Sequence, residues 1–131
     1  MATLDVLTYG FALNTDQGSF GYSTNSLLRV GHHNILIDTG PSSRRGFLYK
    51  ALQAKGLSTE DIDIVILTHM HWDHCQNTDL FKNALVLVNP TEIDYARNPN
   101  QWDLAVEAGM AAMMRDMKVE VVSEGDTIVE G

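Results

Sequence analysis

The sequence is short of three things, and each shortage closes off a class of protein. It has one cysteine, Cys75, so no internal disulfide can form and a disulfide-stapled scaffold is excluded; the expected setting is the reducing cytoplasm. It has nine Lys and Arg against seventeen Asp and Glu, a net charge of -8. Phosphate recognition wants a basic footprint, so this balance argues against a nucleic-acid partner. No apolar run reaches the roughly 18 residues of a membrane span, and the first residues, Met1 to Asp5, carry neither the basic nor the apolar region of a secretory signal. No membrane association is expected. Repeats and low-complexity segments are also lacking. What remains is 131 residues at 44% hydrophobic content, which suits one ordinary domain with its own core.

The chemistry concentrates in Thr68-His69-Met70-His71-Trp72-Asp73-His74. Three of the five histidines fall within these few positions, directly after Ile64-Val65-Ile66-Leu67, a β-branched run that reads as a buried strand. On a helix His69 and His71 would point apart; in extended backbone they point the same way, and Asp73 continues the alternation. The pattern suits a strand end breaking into a turn or helix start, with imidazoles and a carboxylate converging. Those are ligands for zinc and its neighbours Fe, Mn and Co. The spacing differs from the helical HExxH motif, whose histidines lie at i and i+4.

Along the chain, Leu4 to Tyr9 reads as a strand, residues 10 to 18 as a polar loop, and Phe20 to Val30 as one longer strand. Gly31-His32-His33-Asn34 is a hairpin turn with solvated histidines, feeding a strand from Ile35 to Asp38. Ser42 or Ser43 caps a helix to about Lys55 with Phe47, Leu48, Ala51 and Leu52 on its apolar face, and Gly56 stops it. Ser58 to Asp61 is a capped turn before the Ile62–Leu67 strand. This strand–helix–strand unit favours parallel pairing in an α/β layer. A short helix follows from Asp73 to Asn77, with Cys75 a small buried thiol. Then come a strand over Leu85–Val88, a helix from Pro90 through Ala96 broken at Asn98-Pro99-Asn100, a Met-rich helix from Asp103 to Met117, and strands over Val119–Val122 and Thr127–Val129. Trp72 either lines a substrate pocket or packs the ligand loop.

The His-x-His-x-Asp-His run after an apolar strand resembles the signature of the metallo-β-lactamase superfamily. Ile35-Leu36-Ile37-Asp38-Thr39-Gly40 resembles its earlier strand ending in Asp-Thr-Gly. Val65 to Cys75, and Leu80-Phe81-Lys82-Asn83-Ala84 leading to Glu92-Ile93-Asp94-Tyr95-Ala96, resemble its lactonase-like and glyoxalase II-like hydrolases. The likeness covers about residues 20–129. It implies an αβ/βα sandwich, of which this chain supplies the N-terminal αβ half as a single domain truncated at its C-terminal side. It also implies that His69 and His71 hold one metal, that Asp73 and His74 hold a second, and that Asp73 takes part catalytically in proton transfer. Asp38 and Thr68 would support the ligand loop from behind. Two zinc ions are expected, with Fe and Mn as alternatives. Many relatives have Gly where Gln76 stands, which would put a polar side chain beside the pocket.

No histidine follows His74, although the family pattern has later His, Asp and His ligands. Divided two and two, each metal would lack the three protein ligands of a catalytic site. The sequence reads as a fragment, or as a half that a homodimer completes by covering the missing surface. The expected function is hydrolysis of a small-molecule ester or lactone by metal-activated water. The rivals are a phosphodiesterase or nuclease of the same superfamily, and a truncated non-catalytic domain that dimerises or binds a partner.

Overall fold

A computed structural model describes residues 1–106 and 114–130. Its centre is a six-stranded sheet in the order β1-β4-β5-β6-β7-β8. The strands are β1 (Ala2–Thr8), β4 (Asn25–Val30), β5 (His33–Ile37), β6 (Ile64–Ile66), β7 (Leu85–Val88) and β8 (Lys118–Val121), while β2 (Phe11–Thr15) and β3 (Gly18–Tyr22) form a separate hairpin. β1, β4 and β5 pair antiparallel; β5 through β8 pair parallel. The parallel half is what the strand–helix–strand reading expects: α1 (Arg45–Ala54) carries the chain back from β5 to β6. The expected α/β class holds.

Period-2 alternation divides the apolar residues between two faces. Leu36, Val65 and Val86 stand side by side in register and bury with Leu48 and Leu52 of α1, Phe81 and Met70 in the main core. Their neighbours Ile35, Ile64 and Leu85 point to the other face, where Val122 and Val129 pack. Pro90 opens α3 (Pro90–Arg97), and Asn89 caps it by accepting from the Thr91 amide at 3.0 Å. Ser58 and Asp61 build the anticipated capped turn, the Asp61 carboxylate accepting from the Ser58 amide at 2.8 Å and hydroxyl at 2.7 Å. Among the described residues no helix is long and apolar enough to cross a membrane.

Several expectations need correction. Residues 10–18 are not a loop. Phe11 to Thr15 pairs with Gly18 to Tyr22, and Gly18, at φ +134°, supplies the turn conformation that a side chain would disfavour. The strand is hard to see in the sequence because all five of its residues are exposed, so no buried face imposes an alternation. Phe20–Val30 is two strands in two sheets, broken at Ser23 and Thr24, where the Thr24 hydroxyl accepts from the Gly10 amide. Neither Ser42 nor Ser43 caps α1 with its side chain; Ser42–Arg44 is a 3-10 turn leading into it. Phe47 is not core but exposed, with the Arg44 guanidinium 4.0 Å from its ring centroid. Thr127–Val129 is not a strand, and the sheet edges are β1 and β8. The expected helix over Asp103–Met117 lies partly outside the described residues. Of its described ends, Leu104 and Ala105 are turn, Val106 bridges His71 antiparallel, and Met114–Asp116 is 3-10. Asp103 turns the chain on itself, its amide donating to the Asn100 carbonyl and its carboxylate accepting from the Ala105 amide.

Candidate metal centre

Strand β6 ends at Ile66, the chain bends at Thr68, and extended His71 leads into α2 (Trp72–Cys75). The imidazoles gather at this break. The ring centroids of His69 lie 4.6 Å from those of His71 and 3.8 Å from those of His74.

Each ring has one nitrogen engaged from behind. Asp38, only 4% exposed, accepts from the Thr68 amide and hydroxyl at 2.8 Å each and from Nδ1 of His74 at 2.7 Å. Because the Thr68 hydroxyl gives its hydrogen to Asp38, its oxygen is left to accept from Nδ1 of His69 at 3.1 Å. On the far side, Nε2 of His71 donates to the Asp103 carboxylate at 3.2 Å, which also takes the Tyr95 hydroxyl at 2.9 Å. A carboxylate can only accept, so these contacts assign the tautomers. The free lone pairs are Nε2 of His69 and His74 and Nδ1 of His71. Asp73 Oδ2 lies 3.5 Å from that same Nε2 of His74.

The electrostatics set His69 and His74 apart. Burial, with His74 and His71 nearby, holds His69 below its ordinary pKa and keeps it neutral. Burial also pulls on His74, but the hydrogen bond and charge of Asp38, with Asp73 adding, outweigh it and raise its pKa. The Tyr95 hydrogen bond, opposed by burial and helped by the Ala105 amide and His71, holds the Asp103 carboxyl low.

The loop carrying Asp38 is locked to the ligand loop. The Thr39 and Gly40 amides donate to the His74 carbonyl at 2.7 and 3.2 Å. Asn77, fully buried, donates to the Thr39 and Pro41 carbonyls and accepts from Arg45. Gly40 is at φ +75°, and a Cβ there would come within 2.9 Å of Asn25 Oδ1. Glu92 of α3 accepts from the Met70 amide at 3.1 Å, and the Trp72 amide donates to the Ala105 carbonyl at 2.8 Å.

Above Asp73 and His74 opens a cleft of about 970 Å³ walled by the β2–β3 hairpin, Trp72, Trp102 and Leu104. So His69, His71, Asp73 and His74 come together, Asp38 and Thr68 stand behind them, and Trp72 faces the cleft. Gln76 does not line it: its side-chain oxygen accepts from the Ser42 amide at 2.9 Å. Sequence reasoning missed Asp103, Tyr95 and Glu92. Asp103 was masked by being read as the start of a helix, and no spacing rule links it to His71.

A family model for the metallo-beta-lactamase superfamily matches residues 18–131. The chain belongs to the metallo-beta-lactamase superfamily. Two probable metallo-hydrolases of Methanocaldococcus jannaschii are 39% identical over 64 residues and 35% identical over 85 residues. These matches cover 49% and 63% of this chain but 32% and 40% of those proteins. The chain thus spans well under half the length of the curated relatives it matches. The structure of a protein described as a putative metallo-beta-lactamase from Thermotoga maritima superposes with TM-score 0.79 at 25% identity, over 98% of this chain and 62% of that one. AidC, a dizinc quorum-quenching lactonase, has a similar fold, with TM-score 0.66 at 24% identity over 85% of this chain and 47% of its own.

Members of the superfamily use divalent metal, and the donors here fit such an ion in kind. Neutral imidazole and carboxylate suit zinc, and all three rings have a free lone pair backed by a hydrogen bond, which is how ligating histidines are held. They do not make a closed set. Among the described residues no three His, Cys, Asp or Glu side chains are grouped so as to hold a metal ion.

Proposed function

We propose that this chain carries the first ligand set of a metal-dependent hydrolase acting on an ester or lactone carbonyl. The observation behind this reading is the orientation of the three imidazoles: Asp38, Thr68 and Asp103 each take one ring nitrogen and leave the other free. His69 and His71 would hold one zinc and Asp73 and His74 a second, with Fe or Mn accepted by the same ligands. When bound, such an ion lowers the pKa of water towards neutrality and polarises a carbonyl. Asp73 then has the position to take and return a proton beside His74. Trp72 lines the cleft beside Asp73. The lactonase-like choice of carbonyl rests on the fold shared with AidC.

A homodimer belongs to the same proposal. Leu4 on β1 is 64% exposed and stands in register with half-buried Leu28. A second copy would pack there. The buried thiol of Cys75 suits a cytoplasmic setting.

Metal analysis with turnover assays tests the reading. Two zinc equivalents per chain with hydrolysis of lactones or aryl esters would favour this reading. Weakly held or no metal with no turnover would favour the non-catalytic domain. Cleavage of RNA without any carbonyl substrate would favour the phosphodiesterase.

A further inference from the structure

The residues after α3 return to the ligand loop, and the contacts they make there deepen the hydrolase reading, on which this inference rests. Glu92 and Tyr95 lie at i and i+3 on α3 and so share a face. Glu92 accepts from the Met70 amide at 3.1 Å, and the Tyr95 hydroxyl donates to the Asp103 carboxylate at 2.9 Å. The returning chain then lies against the ligand run. The Trp72 amide donates to the Ala105 carbonyl at 2.8 Å, Val106 bridges His71 antiparallel, and Nε2 of His71 lies 3.2 Å from Oδ2 of Asp103. Val106 is buried in the main core. Trp102 and Leu104 stand open at 81% and 90%, so the middle of this loop gains little from packing and depends on its hydrogen bonds.

One proton on His71 decides whether the carboxylate holds this loop. A neutral imidazole carries its proton on Nε2 or on Nδ1. With the proton on Nε2, the ring donates to Asp103. With the proton on Nδ1, a lone pair faces the carboxylate and two acceptors repel. A cation bound at Nδ1 of His71 takes that lone pair and leaves Nε2 as the protonated nitrogen. The tautomer that frees Nδ1 for a metal is therefore the one that ties down the loop. Oδ1 of Asp103 is engaged separately by the Ala105 amide at 3.1 Å, which fixes the direction in which Oδ2 points.

We infer that Asp103 is a positioning residue that latches the loop of residues 98–106 onto the Nε2–H tautomer of His71, so that loop order and metal affinity at His71 are linked. The coupling runs both ways. Metal at Nδ1 orders the loop, and the docked loop raises metal affinity by the same factor. Leu104 and Ala105 line the cleft, so the same event fixes one side of its opening.

Nitrogen NMR of the imidazoles and amide hydrogen exchange test this without catalysis. The wild type, Asp103→Asn and Tyr95→Phe are compared without metal and with zinc. Asn keeps the shape and still accepts from the Ala105 amide, but its NH2 group then faces Nε2 of His71 as a donor. Without metal, His71 is expected as the Nε2–H tautomer in the wild type and in Tyr95→Phe, and as Nδ1–H in Asp103→Asn. The Trp72 amide, which bonds Ala105 rather than Asp103, should exchange roughly fivefold faster or more in Asp103→Asn, with the circular dichroism spectrum unchanged. Zinc should slow that exchange in the wild type by a similar factor and much less in Asp103→Asn. An unchanged tautomer or an unchanged exchange rate in Asp103→Asn would overturn the inference, as would bound zinc that protects both proteins equally. The two readings fail separately. Zinc that shifts none of the His69, His71 and His74 resonances removes the hydrolase and the metal half of the linkage, while a changed tautomer with faster exchange in Asp103→Asn keeps the latch. Bound zinc with no effect of Asp103→Asn does the reverse.

Discussion

The Asp38 carboxylate lies 2.7 Å from Nδ1 of His74, and it reaches there from a backbone at φ +56°. Non-glycine residues seldom adopt that conformation, and the strain is held only where the surroundings over-determine it. Here they do: Asp38 donates its amide to the Ile66 carbonyl and accepts three hydrogen bonds. Asp38→Asn keeps the shape and tolerates positive φ, but weakens the acceptor. It should lower zinc affinity by roughly 10–100-fold, read by competition with a chromophoric chelator. Asp38→Ala strands buried donors and should cost about 2–4 kcal/mol in urea unfolding. Unchanged zinc affinity in Asp38→Asn would show that His74 does not depend on this contact.

Asp103 plays the corresponding part for His71 from a different direction. Asp103→Ala removes the acceptor from Nε2 of His71 and from Tyr95. A loss of roughly tenfold or more in zinc affinity is expected, with a smaller effect on stability because the loop is largely exposed. Tyr95→Phe should leave the His71 contact in place and change affinity less. Equal losses in the two variants would assign the effect to the loop rather than to the carboxylate.

Asn77 joins the Asp38 loop to the end of α2 with no exposed surface of its own. Asn77→Ala removes the hydrogen bonds to the Thr39 and Pro41 carbonyls and the one accepted from Arg45 Nε, while Arg45 keeps Asp79 and the Pro41 carbonyl keeps the Arg44 amide. The expected cost is about 2–4 kcal/mol, seen as a lower urea midpoint with an unchanged slope. A loss within a few tenths of a kcal/mol would mean that water replaces the amide.

Asp61 gives a pH signature remote from the metal centre. Hydrogen bonds from the Ser58 hydroxyl and amide hold its pKa below the ordinary 3.8. A depressed folded pKa means stability that is present above the unfolded value and lost as pH falls through the folded one. The contribution should therefore fade below about pH 3.8, and Ser58→Ala should reduce it. Carboxyl chemical shifts followed by NMR in both proteins check this; an Asp61 titration unchanged by Ser58→Ala would remove the capping explanation.

Some of this molecule was set by local chemistry and can be read without coordinates. The strand ending at Ile66, the ligand run from His69 to His74, the parallel unit around α1 and the Ser58–Asp61 cap depend on neighbours a few positions apart. Period, spacing and turn residues encode such features. The acidic balance likewise needs no fold.

Other features arose only when distant segments met. The hairpin of Phe11 and Phe20 buries nothing against the main core, so it leaves no hydrophobic period to detect. Gln76 points to Ser42 because the Asp38 loop folds back against α2. Asp103 reaches His71 only because the chain after α3 turns at Asn100 and returns beside the ligand loop. Hydrogen bonds between residues far apart in sequence depend on where the packed sheet and helices carry their backbones. Residue types and spacing established that imidazoles would cluster; tertiary packing decided which nitrogen of each stayed free.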